Sequence, residues 1–198
     1  MLTEAADRLV HRQGYCETTL SDIAKEANIP LGNVYYFFKT KDDIGRALID
    51  HRASFYIGLL DSWNQLPDPK ARILAFLQSM IDNRDMLTQS GCNIGSLCHE
   101  LHKGGGPLAK KATALFATVI DWLEQQFRLL GHKEQSHHLA VHVVSVLQGA
   151  ILLSYTFKTV DPIVQEVAGL KKRLFPNHVA RNRTTSRTPR PHSRNKMT

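Results

Sequence analysis

"LGNVYYFFKTKDD", residues 31 to 43, sets four aromatic side chains in a row and follows them at once with Lys39, Thr40 and Lys41. A buried strand accommodates the aromatics but not the lysines, and an exposed loop does the reverse. A short helix pinned against its own domain on one face and meeting a charged surface on the other accommodates both. Val34 and Phe38, four residues apart, form the inward anchor, while Asn33 and Phe37, also four apart, face outward with Tyr36 beside them. The Tyr35 and Tyr36 hydroxyls can donate to phosphate oxygens, and Lys39 and Lys41 neutralise charge just past the helix. Gly32 lets another backbone come close at the helix N-terminus, where free N–H groups favour anions.

Working outward from this stretch, Leu2, Ala5, Ala6, Leu9 and Val10 mark one face of a first helix that stops near Gly14. Thr19 or Ser21 caps a short second helix with Ile23, Ala24 and Ala27 inward. Asn28-Ile29-Pro30 reads as a turn, because Pro30 excludes Ile29 from the helical region and then suits the first turn of a third short helix. Two short helices joined by a tight turn and buttressed by a first make a helix-turn-helix unit, whose second short helix enters the major groove of DNA. Lys41-Asp42-Asp43 opens a long fourth helix to about Gln65, the acidic pair favouring its N-terminal end.

"TTLSDIAKEANIPLGNVYYFFKTKDDIGRAL", residues 18 to 48, resembles the DNA-binding domain of the TetR family of bacterial one-component repressors. The likeness lies in the Thr-rich helix start, the Ile-Ala pair, the Gly-Val turn and the Tyr-Tyr-aromatic-Phe-Lys-x-Lys ending. Phe37 stands where the family usually has histidine, which removes a polar contact. The resemblance implies an all-α fold of about nine helices and a homodimer. Residues 1–48 would be the helix-turn-helix reading head, and residues 49–175 a helical ligand-binding and dimerisation domain. It also implies a near-palindromic double-stranded operator, read by two recognition helices about 34 Å apart. The positions that match family residues facing DNA are Thr19, Leu31, Gly32, Asn33, Tyr35, Tyr36, Lys39 and Lys41, with Thr18 at the margin.

Beyond Pro67 and Pro69 a helix over about 69 to 87 carries Ile73, Phe76, Leu77, Met80 and Ile81 at three- and four-residue spacing. A short helix at about 95 to 102 lies between glycine breaks, and longer ones come after it at about 107 to 130, 134 to 157 and 161 to 175. "HLAVHVVSVLQGAILLSY", residues 138 to 155, is apolar on nearly every side and calls for partners on two faces. Family members dimerise mainly through their last two helices, which agrees with this demand. Residues 176 to 198, rich in Arg, Pro, Ser, Thr and Asn, read as a disordered tail.

"GCNIGSLCHELHK", residues 91 to 103, is the second informative segment. Similar Gly-Cys-x-Ile-Gly-x-Leu stretches occur in a subgroup of the family beside the ligand cavity, and in some of those members the cysteine senses electrophiles or oxidants. A thiol at or just before a helix N-terminus is easier to ionise, so Cys92 is a candidate sensor; the plain alternative is a small apolar thiol packed where helices converge. His99 and His102 are three apart, not the four of a metalloprotease helix, and Glu134, His138 and His142 form a stripe without a complete ligand set, so no metal or other cofactor is expected. Ligand cavities in such domains are mostly apolar, and Phe55, Trp63, Met80, Phe116, Trp122 and Tyr155 are available, with Cys92, to line one. A small hydrophobic or amphipathic inducer is the expected ligand. Ordinary core packing is the competing role for each of these side chains.

Charge distribution adds a constraint. Residues 1–50 hold six Lys and Arg against eight Asp and Glu, residues 51–175 thirteen against ten, and residues 176–198 six against none. The net charge of +7 is thus concentrated in the tail and says little about the folded body. Three cysteines are too few for a disulfide framework. No apolar run reaches the roughly 18–20 residues of a membrane span and residues 1–15 lack an apolar signal region, so a cytoplasmic protein without membrane contact is expected. Two rivals stand beside the repressor: a small hydrolase using Cys92 with His99 or His102, and a non-specific DNA-coating protein acting through the tail. The hydrolase lacks an orienting third group and an oxyanion hole, so no catalytic residue is assigned.

Overall fold

The computed structural model describes residues 2–176, and among them the chain is all-helical. Ten α-helices run in order: α1 (Leu2–Gln13), α2 (Leu20–Glu26), α3 (Leu31–Phe37), α4 (Lys41–Asn64), α5 (Pro69–Asp82), α6 (Arg84–Ser90), α7 (Asn93–Gly104), α8 (Gly106–Leu129), α9 (Ser136–Phe157) and α10 (Asp161–Leu174), with a 3₁₀ turn at Lys133–Gln135. The single helix expected over 69–87 is two. Asn83 leaves helical geometry and its side chain donates to the Ser79 carbonyl, which ends α5 one residue before α6 begins. The helix expected at 95–102 is longer, because Cys92 rather than a glycine starts it.

Two helix starts in the first half are fixed by capping boxes. Thr19 closes a capping box with Asp22 at the head of α2, and Thr40 does the same with Asp43 at the head of α4. Arg46 also grips Asp43, at 2.7 Å, and holds its carboxyl down at about 2. Between α2 and α3 the chain turns through Asn28 at φ +52, a left-handed position that Asn tolerates, while the Ile29 N–H reaches back to the Ala24 carbonyl at 3.0 Å. Pro30 then sets the entry into α3.

The buried apolar residues form two clusters, and their division does not fall at residue 48. Val34, Phe38, Ile23, Leu9 and Leu48 of the first four helices pack with Ile94, Leu97, Cys98 and Leu101 of α7 and Leu108 and Leu115 of α8. The other cluster joins Leu60, Ile73, Leu77, Trp122, Phe127, Val143, Leu147 and Val167. Tyr56, Cys92 and Phe116 are packed against both. A close crossing is at Gly45, where a Cβ would lie 2.9 Å from both the Leu108 side chain of α8 and the Tyr15 hydroxyl.

Helix α9 packs on α8, α10 and α6 and buries eight residues, among them Val143, Leu147 and Ile151. Its opposite side leaves Leu152, Leu153, Tyr155 and Phe157 exposed. The stretch Lys133–Phe157 is long and apolar enough to cross a membrane by length and composition, which corrects the expectation that no such run exists. A third of its apolar window is buried inside the protein, against α8, α10 and α6.

Candidate functional site

Helix α3 divides its aromatic run between two faces. Val34 is fully buried and Phe38 nearly so. Asn33, Tyr35, Tyr36 and Phe37 are exposed, Tyr36 at 77%, and the Tyr36 and Phe37 rings meet edge to face with centroids 5.2 Å apart. Leu31 and Gly32 are exposed at the start of the helix, and nothing lies within 4 Å of where a Gly32 Cβ would be. Lys39 is exposed, its Nζ 6.0 Å from the Tyr36 ring. An open groove of about 800 Å³ runs between the start of α1 and this face, with Tyr36 and Phe37 on its wall.

Three positions near this face are partly engaged within the protein. Thr18 is buried and donates to the Gly14 carbonyl at 2.7 Å. Thr19 is exposed but its hydroxyl is occupied by Asp22. Lys41 turns back: its Nζ donates to the Cys16 carbonyl and lies 5.0 Å over the Tyr15 ring.

The Gly91–Lys103 segment forms one wall of a cleft of about 430 Å³, with Cys92, Ser96 and His99 facing Gln148, Leu152 and Tyr155 of α9. Cys92 is the N-cap of α7, and its Sγ accepts from the Gly95 N–H at 3.3 Å and from Gln148 Nε2 at 3.4 Å. A Cβ at Gly95 would stand 2.6 Å from Gln148 Oε1, so a larger residue there would displace the Gln148 amide from the Cys92 Sγ. Lys158 closes the end of α9, donating to the Gln89 carbonyl and covering the Tyr155 ring at 3.9 Å.

The other residues expected to line a cavity are not gathered around this cleft. Trp63 and Trp122 pack with Phe76 in the core, ring centroids 5.8 to 6.2 Å apart, and Trp122 Nε1 donates to Asn64. Met80 and Phe116 are half-buried against the core, and Phe55 lies on the surface with 59% exposure. Periodicity marked these side chains as apolar-facing without saying which faced a void. His102 is bonded to the Cys98 carbonyl and to Thr113, and among the described residues no group of three or more His, Cys, Asp or Glu could hold a metal ion.

Sequence models of known families bear on this arrangement. The bacterial regulatory proteins of the tetR family match residues 2–48, and the C-terminal domain of LmrA/YxaF-like transcriptional regulators matches residues 69–167, half of the chain. The chain belongs to the TetR family. Among its relatives, YxaF of Bacillus subtilis is 27% identical over 175 residues, covering 82% of this chain and 87% of the relative. LmrA of the same organism is 28% identical over 167 residues, covering 82% and 89%. A TetR regulator from Legionella pneumophila superposes with a TM-score of 0.77 at 20% identity, over 87% of this chain and 94% of that one. TetR-family members are DNA-binding transcriptional regulators rather than enzymes, and this removes the hydrolase reading.

In this TetR-family regulator several residues that tie head to body were missed by reading the sequence. Arg52 is 2% exposed and pairs with Asp7 of α1 at 2.6 Å. The available signal was a lone Arg on the apolar stripe Leu48, Arg52, Tyr56, Leu60 at four-residue steps. Glu100, which lies between His99 and His102 and drew no reading of its own, accepts from the Tyr15 and Cys16 N–H groups. Burial pushes the Cys98 thiol up to about 11, and its Sγ donates to the Ala112 carbonyl.

Proposed function

We propose that the chain acts as a homodimeric cytoplasmic repressor, binding a near-palindromic operator and released from it by a small hydrophobic or amphipathic inducer. Residues 1–48 are the reading head and residues 49–175 the ligand-binding and dimerisation domain. The basic tail lies, from residue 177 on, outside the described residues. The observation that carries this reading is the outward face of α3. An aromatic, lysine-flanked surface on a short helix anchored by Val34 and Phe38 suits a duplex groove and has no use in a free globule. Asn33, Tyr35, Tyr36 and Lys39 are the leading contacts, with Leu31, Gly32 and Thr19 at the edges; Lys41 contributes charge while bonded within the head. The exposed apolar side of α9, with Val164 of α10, suits a second copy of the chain.

The test is a fluorescence anisotropy titration with the DNA upstream of the chain's own gene. Salt-sensitive, sequence-preferring binding at about nanomolar to micromolar protein is expected. Binding that ignores sequence, or that vanishes when residues 177–198 are deleted, would favour a tail-driven coating protein instead.

A second reading, in which Cys92 itself senses electrophiles or oxidants, is favoured by one arrangement. The Cys92 Sγ accepts two N–H donors and opens onto the cleft, which is how a thiolate would be held. Peptide mapping after mild quinone or peroxide treatment tests it. An unmodified Cys92 leaves the inducer reading standing alone.

A further inference from the structure

Gly91, Cys92 and Asn93 join α6 to α7, and the carbonyls of the two residues flanking Cys92 are both held by side chains tied to the reading head. His11 of α1 meets the Gly91 carbonyl through Nε2 at 3.1 Å. Arg52 of α4 donates from Nη1 to the Asn93 carbonyl, and the same guanidinium donates from Nε to Asp7 of α1 at 2.6 Å. Tyr56, one turn along α4, donates its hydroxyl to Asn93 Oδ1 at 2.9 Å. On its other side the turn is bonded to α9, through Gln148 and the Cys92 Sγ. Three residues thus link the cleft to α1, α4 and α9, at the place where the two apolar clusters meet.

Arg52 is an odd choice for mere adhesion. It is buried, and its Nη2 has no protein partner. An apolar side chain of similar volume would fill the same space without desolvating a charge. What a guanidinium adds is direction, because its planar fork fixes a carboxylate on one helix and a peptide carbonyl on another in a set orientation.

We infer that Arg52 is a positioning residue that couples occupancy of the Cys92 cleft to the placement of α1, so that the 91–93 turn moves the reading head directly and not only through the tilt of α4. This rests on the reading of the chain as a ligand-responsive DNA binder. Coupling of this kind is reciprocal: whatever the cleft does to the head, the head does to the cleft.

The experiment uses the full chain with Cys16→Ser and iodoacetamide as the probe for Cys92. In the absence of DNA, hydrogen exchange of residues 5–16 is measured by mass spectrometry before and after Cys92 is alkylated. Exchange is expected to change by about fivefold, the low end of ordinary coupling. It should change little in Arg52→Met combined with His11→Ala, and by an intermediate amount in Arg52→Lys, which keeps the charge opposite Asp7 but not the fork. His11→Ala alone, a half-buried truncation that leaves Arg52 in place, guards against a folding defect and should weaken the response. In a second arm, bound upstream duplex should alter the Cys92 alkylation rate by a similar factor, and this effect too should vanish in the double variant. Exchange in α1 that ignores Cys92 alkylation, or a response that survives intact in the double variant, overturns the inference. A chain that binds no specific duplex but passes the first arm loses the proposed function and keeps the relay; one that binds its operator and fails the first arm loses the relay alone.

Discussion

The Glu100 carboxylate of α7 accepts the backbone N–H of Cys16, Oε2 lying 2.7 Å from that nitrogen. Its Oε1 takes the neighbouring Tyr15 N–H at 3.1 Å, so one body side chain terminates the loop between α1 and α2. Gly14, at φ +91, makes room: a Cβ there would come within 3.1 Å of the same carboxylate. Glu100→Ala strands two amides and is expected to lower unfolding free energy by about 1–3 kcal/mol, with Glu100→Gln costing less because one acceptor survives. Urea denaturation measures this. An unchanged midpoint in Glu100→Ala would show that water replaces the carboxylate without loss.

Among the three thiols Cys98 should react most slowly. Burial pushes Cys98 up to about 11, leaving roughly a hundredfold less thiolate than an ordinary cysteine near neutral pH. The Glu100 carboxylate beside Cys16, with some burial, raises that thiol as well. Timed iodoacetamide labelling should therefore find Cys98 the slowest by a wide margin. Labelling of Cys98 as fast as Cys16 would mean that α7 and α8 open readily around it.

Alkaline pH should weaken the packing around Tyr15 and Cys98. Burial first, and then the Asp42 charge, raise the Tyr15 hydroxyl to about 12, and the Tyr56 hydroxyl is raised further by its burial. A group whose folded value lies above its unfolded one supports the fold below the unfolded value and loses that support as pH rises toward the folded one. For Cys98 this window is about pH 9–11, and for Tyr15 about pH 10–12. Asp43 is the opposite case. Held down at about 2 by Arg46, it supports the cap of α4 above pH 3.8, the ordinary carboxylate value, and loses that support as the pH falls toward 2. Tyr15→Phe should flatten the loss between pH 10 and 12, read from denaturation midpoints across that range. A decline as steep as in the parent would exonerate Tyr15.

Substitutions on α3 should separate binding from stability. Tyr36→Ala removes a side chain that is 77% exposed and should leave stability within about 0.5 kcal/mol while weakening operator binding at least about tenfold. Val34→Ala, at a fully buried position, should cost about 2 kcal/mol of stability. Thermal melts and anisotropy on the same samples decide. Equal binding by Tyr36→Ala and the parent would place the duplex elsewhere.

The two lysines after α3 should behave differently in salt. Lys39→Ala is expected to reduce the slope of log affinity against log salt by about one, as loss of one phosphate contact would. Lys41→Ala should reduce it less and also destabilise the head, because its ammonium serves the Cys16 carbonyl and the Tyr15 ring. Identical slopes for the two variants would contradict the inward turn of Lys41.

How much of this was legible in the sequence depends on the range of each contact. The anchor of α3, the cap at Thr19, the acidic start of α4 and the all-round apolar character of α9 are all set by residues within four positions of one another, so spacing exposes them, whereas Thr40 as the cap of α4 was not read. The pairs Asp7–Arg52 and Cys16–Glu100 are 45 and 84 residues apart, and no local pattern announces them. Aromatic residues were ambiguous for another reason. Periodicity separates inward from outward, yet Trp63 and Trp122 turn inward onto each other, while Tyr155 borders the cleft. The break at Asn83 was hidden because apolar residues continue on both sides of it, Met80 and Ile81 before and Met86 and Leu87 after, and one asparagine bonding back to Ser79 is a weak signal between them.

Gly45 is a position where two side chains from different elements meet one backbone. Tyr15 belongs to the reader and Leu108 to the regulator, and both press on the hydrogen where a side chain would otherwise begin. Adding even a methyl group there requires the Leu108 side chain and the Tyr15 ring to shift. A side chain at residue 45 is thus accommodated only if Tyr15 and Leu108 both give way, which couples the loop after α1 to the start of α8 through a single missing methyl group.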